Sequence, residues 1–181
     1  MTESDWRECK LLAFLLDYPE TSWCAELPEL RGVVHGVADE RHRLLLGGFL
    51  TYAERTPPLE LQETYTAAFD LDPATSLHLT YHLMGDSEDR GKALARLLWL
   101  YHREGFDAEI GELPDYLPMI LEFLALCPEP EDALLRSCLG TVAILAERLI
   151  KKRHPYAVLL ELAADIFDRM GIPSEKISKE V

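Results

Sequence analysis

The sequence predicts an all-α fold, a single compact domain of about eight to ten helices. Apolar residues recur at helical spacing along nearly the whole chain, and prolines and glycines divide this pattern into segments of helix length. No clear alternating strand pattern and no internal repeat is visible in the sequence. The 181 residues suit one domain, and 48% hydrophobic residues can form a substantial core. We expect a helical domain over 1–170 and a flexible polar tail over 171–181.

The first half of the chain predicts four helices. Ser4 is a suitable cap for the first, and Pro19 ends it. The next three are predicted over residues 22–30, 34–55 and 59–69. The stretch Thr56-Pro57-Pro58 separates the last two, because proline stops a preceding helix. The sequence Asp-Leu-Asp-Pro at 70–73 indicates a turn.

The second half predicts five more helices. Gly85 and Gly105 close two of them, which run over 76–84 and from about residue 87 to 104. The others are predicted over 115–127, 131–153 and 155–170. Pro128 and Pro130 separate the first two of these, and Pro155 is suited to the first turn of the last helix.

The segment 112–132 contains six acidic residues and no lysine or arginine. If a helix begins at Asp115, Pro118 falls in its first turn, where a missing N–H group is tolerated. Asp115 would then accept a hydrogen bond from the N–H group of Leu117, and its charge suits the positive end of the helix. Capping alone would explain this aspartate.

Glu122 needs another explanation. Asp115, Met119, Glu122 and Leu126 share one helical face, and most of the remaining surface of this helix is apolar. Such a helix is largely buried, so its carboxylates either point into a groove or pair with an internal base. Arg90 and Arg96 are the candidate bases for Glu122, and the sequence leaves both alternatives open.

Composition restricts the partners. The formal net charge of −14 disfavours binding to nucleic acid or to an anionic membrane surface and favours a cationic partner. No segment approaches the length of an apolar membrane span, and acids stand where a signal peptide would be basic. We therefore expect a cytoplasmic protein without membrane insertion. Its four cysteines, which form no CxxC pair, are expected to be free thiols.

Two patterns raise the alternative of a metal- or nucleotide-dependent helical enzyme. His78 and His82 have metal-ligand spacing, but no glutamate lies between them and no Glu-x-x-His motif occurs in the chain. The segment 85–93 has five residues between its glycines instead of the four of a phosphate loop, and Ala93 replaces the metal-binding hydroxyl. Packing and helix capping explain these residues better, so we expect no cofactor, no metal and no catalytic activity.

Three segments carry a family resemblance. Residues 65–94, which include "TSLHLTYHLMGDS", residues 100–106 and residues 112–123, which include "PDYLP", resemble the NarJ-type nitrate reductase assembly chaperones. These belong to the wider group of redox-enzyme maturation chaperones that includes TorD and DmsD. The resemblance implies an all-helical protein that binds the N-terminal segment of a molybdenum enzyme's catalytic subunit in the cytoplasm. It implies release after insertion of the molybdenum cofactor, so the chaperone is not part of the final enzyme.

The resemblance also implies where the client peptide binds. In the wider group an Asp-His pair is linked to peptide binding; Asp115 matches the aspartate, whereas Tyr116 replaces the histidine, as is usual in the NarJ branch. We expect a monomer in which a basic amphipathic peptide packs near Met119 and Phe123 and pairs with Asp115 or Glu122. The predicted site comprises Asp115, Tyr116, Pro118, Met119, Glu122, Phe123, Tyr65, Phe69, Tyr81 and His82. The alternative for Tyr65, Phe69 and Tyr81 is that they are core aromatic residues that do not line the site.

Overall fold

The computed structural model describes residues 3–108, 111–127 and 131–175, with side chains from Asp5 onward. In these ranges it contains ten α-helices, one 3₁₀ turn over Pro73–Thr75 and no strand, which confirms the all-α prediction. The helices are α1 Glu3–Leu16, α2 Thr21–His35, α3 Glu40–Arg55, α4 Pro58–Phe69, α5 Leu79–Met84, α6 Glu88–Arg103, α7 Leu117–Leu126, α8 Ala133–Gly140, α9 Val142–Lys151 and α10 Ala157–Arg169. None of these helices is long and apolar enough to cross a membrane.

Helix α7 lies at the centre of the domain and packs along α1. Its prediction as a central, largely buried helix is confirmed, although it begins two residues later than expected. Leu117, Ile120, Leu121, Phe123 and Leu124 are all at most 1% exposed. Since apolar side chains cover most of its circumference, burial on several sides is the arrangement that removes most apolar surface from water.

The boundary between α2 and α3 differs from the prediction. Helix α2 continues to His35 with Pro28 in its interior, and α3 begins only at Glu40. Asp39 determines this later start, because its side chain accepts a hydrogen bond from the N–H group of His42 at 3.0 Å. A carboxylate that satisfies an otherwise unpaired N–H group favours a helix beginning at that residue.

The predicted helix over 131–153 is divided at Thr141 into α8 and α9. The backbone N–H group of Glu175 donates to the carbonyl oxygen of Gly140 at 2.9 Å, so the C-terminal chain lies directly against this point. A Cβ atom at Gly140 would lie 2.6 Å from the carbonyl oxygen of Pro173. Only glycine admits such a close approach between two backbone segments.

The C-terminal segment packs against the domain as far as the structure describes it. Ile172 is buried, and its N–H group donates to the carbonyl oxygen of Phe167 at 3.0 Å. Residues 176–181 lie outside the described residues. Residues 171–175 are therefore held against the domain by these contacts, and a flexible tail stays a prediction for residues 176–181 alone.

Candidate functional site

The motif aspartate is fully buried and contacts the start of α5. The backbone N–H group of Thr80 donates to Oδ2 of Asp115 at 3.1 Å, and the Thr80 hydroxyl donates to the same oxygen. The backbone carbonyl of Asp115 accepts from the N–H group of Leu79 at 3.0 Å. One residue therefore satisfies two of the unpaired N–H groups at the N-terminus of α5.

The expected capping of Leu117 by Asp115 is wrong. Tyr116 occupies the N-cap position of α7 but its side chain does not cap the helix, and the N–H group of Leu117 donates to the carbonyl oxygen of Leu77 at 2.9 Å. An antiparallel bridge between His78 and Tyr116 makes this backbone pairing possible. Because the bridge uses the N–H group of Leu117, the Asp115 side chain is directed to the neighbouring helix instead.

Two basic side chains complete the surroundings of Asp115. His78 Nδ1 lies 3.3 Å from Oδ1, and Arg90 Nη2 lies 3.5 Å from Oδ2. Arg90 Nε also donates to the Thr80 hydroxyl at 3.1 Å. Burial alone would raise the pKa of Asp115. The hydrogen bonds from His78 and Thr80 and the nearby charges outweigh burial and lower the pKa below its ordinary value, so this carboxylate is ionised.

Both candidate bases of Glu122 contact other carboxylates. Arg90 contacts Asp115, and Arg96 donates to Asp132 at 2.8 and 3.0 Å. Glu122 itself is exposed, whereas Asp115 is fully buried. The two carboxylates therefore do not line a common acidic groove in this conformation, because α7 begins after Asp115 and that side chain is turned inward.

Two tyrosine hydroxyls connect α4, α7 and the end of α1. The hydroxyl oxygens of Tyr65 and Tyr116 lie 2.7 Å apart. Tyr65 also contacts the carbonyl oxygen of Leu16 at 3.0 Å, and Tyr116 contacts Oδ1 of Asp17 at 3.1 Å. The carbonyl and the carboxylate only accept, so two hydroxyl hydrogens serve three contacts. The hydroxyl of Tyr116 cannot donate to Tyr65 and to Asp17 at the same time.

Most of the ten predicted site residues lie inside the protein. The buried ones are Tyr65, Phe69, His82, Asp115, Pro118, Met119 and Phe123. Phe123 packs on the rings of Tyr101 and Phe106, with centroid distances of 4.8 and 5.7 Å. Tyr81, Tyr116 and Glu122 are partly or fully accessible. Of the ten predicted residues, these three are therefore the ones with side-chain surface accessible from solvent.

The accessible part of the site contains residues that the sequence analysis did not select. Tyr18 is 38% exposed and packs edge-on against Tyr65, and Leu113 is 41% exposed and accepts a backbone hydrogen bond from Tyr116. Asp17 lies 3.1 Å from the Tyr116 hydroxyl, and the charges of Asp17 and Glu112 add to burial in raising the pKa of the Tyr116 phenol. We call this area the motif surface; it comprises Asp17, Tyr18, His78, Glu112, Leu113 and Tyr116.

The two motif histidines have separate roles. His82 is buried, and its Nε2 donates to the carbonyl oxygen of Ser76 at 2.7 Å. Burial lowers the pKa of His82, which favours the neutral ring. His78 contacts Asp115, and its ring lies 5.5 Å from the ring of Tyr116. In the described parts of the chain, no three His, Cys, Asp or Glu side chains form a group that could hold a metal ion.

Comparison with known proteins identifies the family. The family model described as the nitrate reductase delta subunit matches residues 37–161. The chain belongs to this family. The match covers both segments that meet at Asp115, and it confirms the resemblance that these segments indicated.

Named relatives of this family extend over most of the chain. A probable nitrate reductase molybdenum cofactor assembly chaperone NarJ from Bacillus subtilis is 33% identical over 162 residues, which cover 89% of this chain and 88% of that protein. The NarJ chaperone of Escherichia coli K12 is 32% identical over 177 residues, which cover 96% of this chain and 75% of that protein. Both are similar in sequence well beyond the motif segments.

A solved structure supports the fold. The crystal structure of a putative redox enzyme maturation protein from Archaeoglobus fulgidus superimposes with a TM-score of 0.68. The match covers 90% of this chain and 93% of that one at 22% sequence identity. At this identity the similarity establishes the helical architecture alone.

Proposed function

We propose that this member of the delta subunit family is an assembly chaperone for a respiratory nitrate reductase and has no catalytic activity. The family match and the names of the relatives, which are assembly chaperones and not catalysts, carry this proposal. The chaperone acts in the cytoplasm as a monomer. It binds the N-terminal segment of the reductase catalytic subunit, keeps that subunit competent for insertion of the molybdenum cofactor, and is then released.

The motif surface is the contact that we assign to the client segment. Tyr18, Leu113 and Tyr116 offer apolar area, and the exposed carboxylates of Asp17 and Glu112 flank it. An amphipathic segment with arginine or lysine beside an apolar residue fits this combination. Tyr81 and Glu122 of the predicted site extend the accessible contact area.

The shortage of hydroxyl hydrogens gives a physical reason for a cationic client. In the free protein the Tyr116 hydroxyl has to serve both Tyr65 and Asp17. A guanidinium or ammonium group of the client that donates to Asp17 would release the Tyr116 hydroxyl to donate to Tyr65. With a cation bound, Asp17 and the Tyr65 hydroxyl each have a donor of their own.

The buried residues of the predicted site act as supports in this proposal. Asp115 connects the start of α5 to the segment before α7, so it holds His78 and Tyr116 beside one another. Met119, Phe123 and Phe69 belong to the hydrophobic core that carries these elements. A site held by a rigid interior loses less conformational entropy on binding than one formed by loose loops.

The proposal is tested by co-purification from cells that express the reductase. The tagged chaperone should retain the full-length catalytic subunit and lose a subunit that lacks its N-terminal segment. Retention of both forms would contradict the assignment of that segment as the client contact. Retention of neither would contradict the assembly function itself.

A further inference from the structure

A groove of about 750 Å³ runs between α2 and α3. The buried side chains of Val34 and Leu50 contribute to its walls, and Leu44 stands beside them with 69% of its surface exposed. Leu44 therefore extends the apolar area of the groove to the protein surface. None of the residues of the motif surface lines this groove.

Two adjacent glycines, Gly47 and Gly48, form part of the same groove in the middle of α3. Glycine is among the least favourable residues in a helix interior, so such a position normally has a structural reason. A Cβ atom at either position would meet nothing within 4 Å, and neither backbone has a positive φ. Packing within the chain therefore does not require these glycines, whereas close approach of an external backbone would.

The charged side chains that line the groove are basic, whereas the chain as a whole has a net charge of −14. Residues 30–38 and 41–53 contain no aspartate or glutamate; Asp39, which caps α3, and Glu40 lie between these ranges and do not line the groove. Arg31, His35 and Arg43 line the groove. Arg31 forms an ion pair with Glu54 and remains partly exposed. Arg43 donates to the neutral carbonyl oxygen of Val37 at 2.9 Å and forms no ion pair with any described residue.

We propose that this groove docks an acidic amphipathic helix of a partner protein, at a site separate from the motif surface. The apolar side of that helix lies over Gly47 and Gly48 and covers Leu44. Its carboxylates contact Arg43 and the accessible part of Arg31. The choice of an acidic occupant follows from charge complementarity, because a basic helix would meet two arginines.

The test uses a fluorescein-labelled peptide of about 20 residues with leucine and alanine on one face and glutamate on the other. A matched peptide carries lysine in place of glutamate. Fluorescence anisotropy should show saturable binding of the acidic peptide alone. Gly48→Leu fills the groove and should weaken binding at least about tenfold, because most binding energy resides in a few central contacts. Arg43→Gln should weaken binding and reduce its salt dependence.

The controls separate docking from folding and from the client site. Lys92→Gln removes an exposed cation on α6 and should leave peptide affinity unchanged. Gly48→Leu should remain folded by circular dichroism and retain the reductase catalytic subunit in the co-purification, since the motif surface is intact.

Three results would overturn the proposal. The first is the absence of saturable binding of the acidic peptide, and the second is equal or tighter binding of the lysine peptide. The third is a wild-type protein that self-associates and becomes monomeric with Gly48→Leu, since this would assign the groove to a second copy of the chain. If a variant still binds the acidic peptide but no longer co-purifies with the catalytic subunit, this result would bear on the proposed client contact and not on the groove.

Discussion

The Nδ1 atom of His78 lies 3.3 Å from Oδ1 of Asp115, although 37 positions separate the two residues in the chain. The Asp-His pair of the wider group has its histidine next to the motif aspartate, whereas Tyr116 occupies that position in this sequence. The structure supplies a histidine from the start of α5 instead, and its ring packs near Tyr116. An Asp-His pair is thus present in space without being adjacent in the sequence.

Asp115 is expected to matter first for stability. Asp115→Asn removes the charge that faces His78 and Arg90, and the donors of Thr80 then have a weaker acceptor. Loss of one partner of a buried ion pair costs roughly 3–5 kcal/mol. Because His78 and Arg90 are partly exposed, we expect the free energy of unfolding to fall by about 3 kcal/mol, at the lower end of this range. Urea unfolding measures this free energy. Glu122→Gln, on an exposed side chain, should change the free energy of unfolding by less than about 1 kcal/mol. A similar loss for both variants would contradict the supporting role of Asp115.

The same carboxylate predicts a pH dependence of that stability difference. The pKa of Asp115 is lower in the folded protein than in the unfolded chain, so its contribution is complete above the unfolded pKa of about 3.9. It is lost as the pH falls through the folded pKa. The difference in unfolding free energy between wild type and Asp115→Asn should be complete at about pH 5 and shrink below about pH 4. A difference that stays constant to pH 2 would show that the charge is not responsible.

The two tyrosine hydroxyls should be coupled. Tyr65→Phe and Tyr116→Phe each remove one hydroxyl from the contacts with Leu16, Asp17 and one another. Each substitution should cost about 0.5–1.5 kcal/mol, typical of a lost hydrogen bond. The double variant should cost less than the sum, because either single change already removes their shared contact. Additive losses in urea unfolding would indicate that the 2.7 Å contact carries no energy.

Two glycines should respond to alanine with opposite signs. Gly140→Ala places a Cβ atom 2.6 Å from the carbonyl oxygen of Pro173, so the C-terminal segment must move and stability should fall by about 1–3 kcal/mol. Gly48→Ala meets no neighbouring atom and should raise stability by about 0.5–1 kcal/mol, since alanine is the better helix former. Thermal unfolding compares the two directly. A stabilising Gly140→Ala would refute the close contact between residues 140 and 173.

The sequence predicts the helices well where local signals agree. The first helix, the helices over 59–69 and 87–104, and the buried helix after Asp115 follow from apolar periodicity and from prolines and glycines at their ends. Apolar spacing predicts too early a start for α3, because it continues through the gap between α2 and α3. Only the Asp39 cap indicates where α3 begins. The division at Thr141 depends on a tertiary contact with residues 173–175, which no local pattern reveals.

The candidate site could be located from the sequence but not oriented. Periodicity places Asp115 and Glu122 on one face only if Asp115 belongs to the helix. The bridge between His78 and Tyr116 takes Asp115 out of α7 and turns it inward. Thr80 and Arg90 become its partners through contacts across the chain, which periodicity does not encode. Asp17 is an ordinary surface acid in the sequence, and only the fold brings it to Tyr116, 99 positions away.

Titration calorimetry with a synthetic N-terminal peptide of the reductase catalytic subunit tests the central claim most directly. The double variant Asp17→Asn, Glu112→Gln removes both exposed carboxylates beside Tyr116 and leaves Asp115 in place. We expect about threefold to tenfold weaker binding and a smaller salt dependence, because two exposed ion pairs are lost. The matched variant Glu26→Gln, Glu29→Gln removes the same charge from the exposed face of α2 and should bind like the wild type. Equal affinity of all three proteins, or no binding of the peptide to the wild type, would contradict the assignment of the motif surface as the client site.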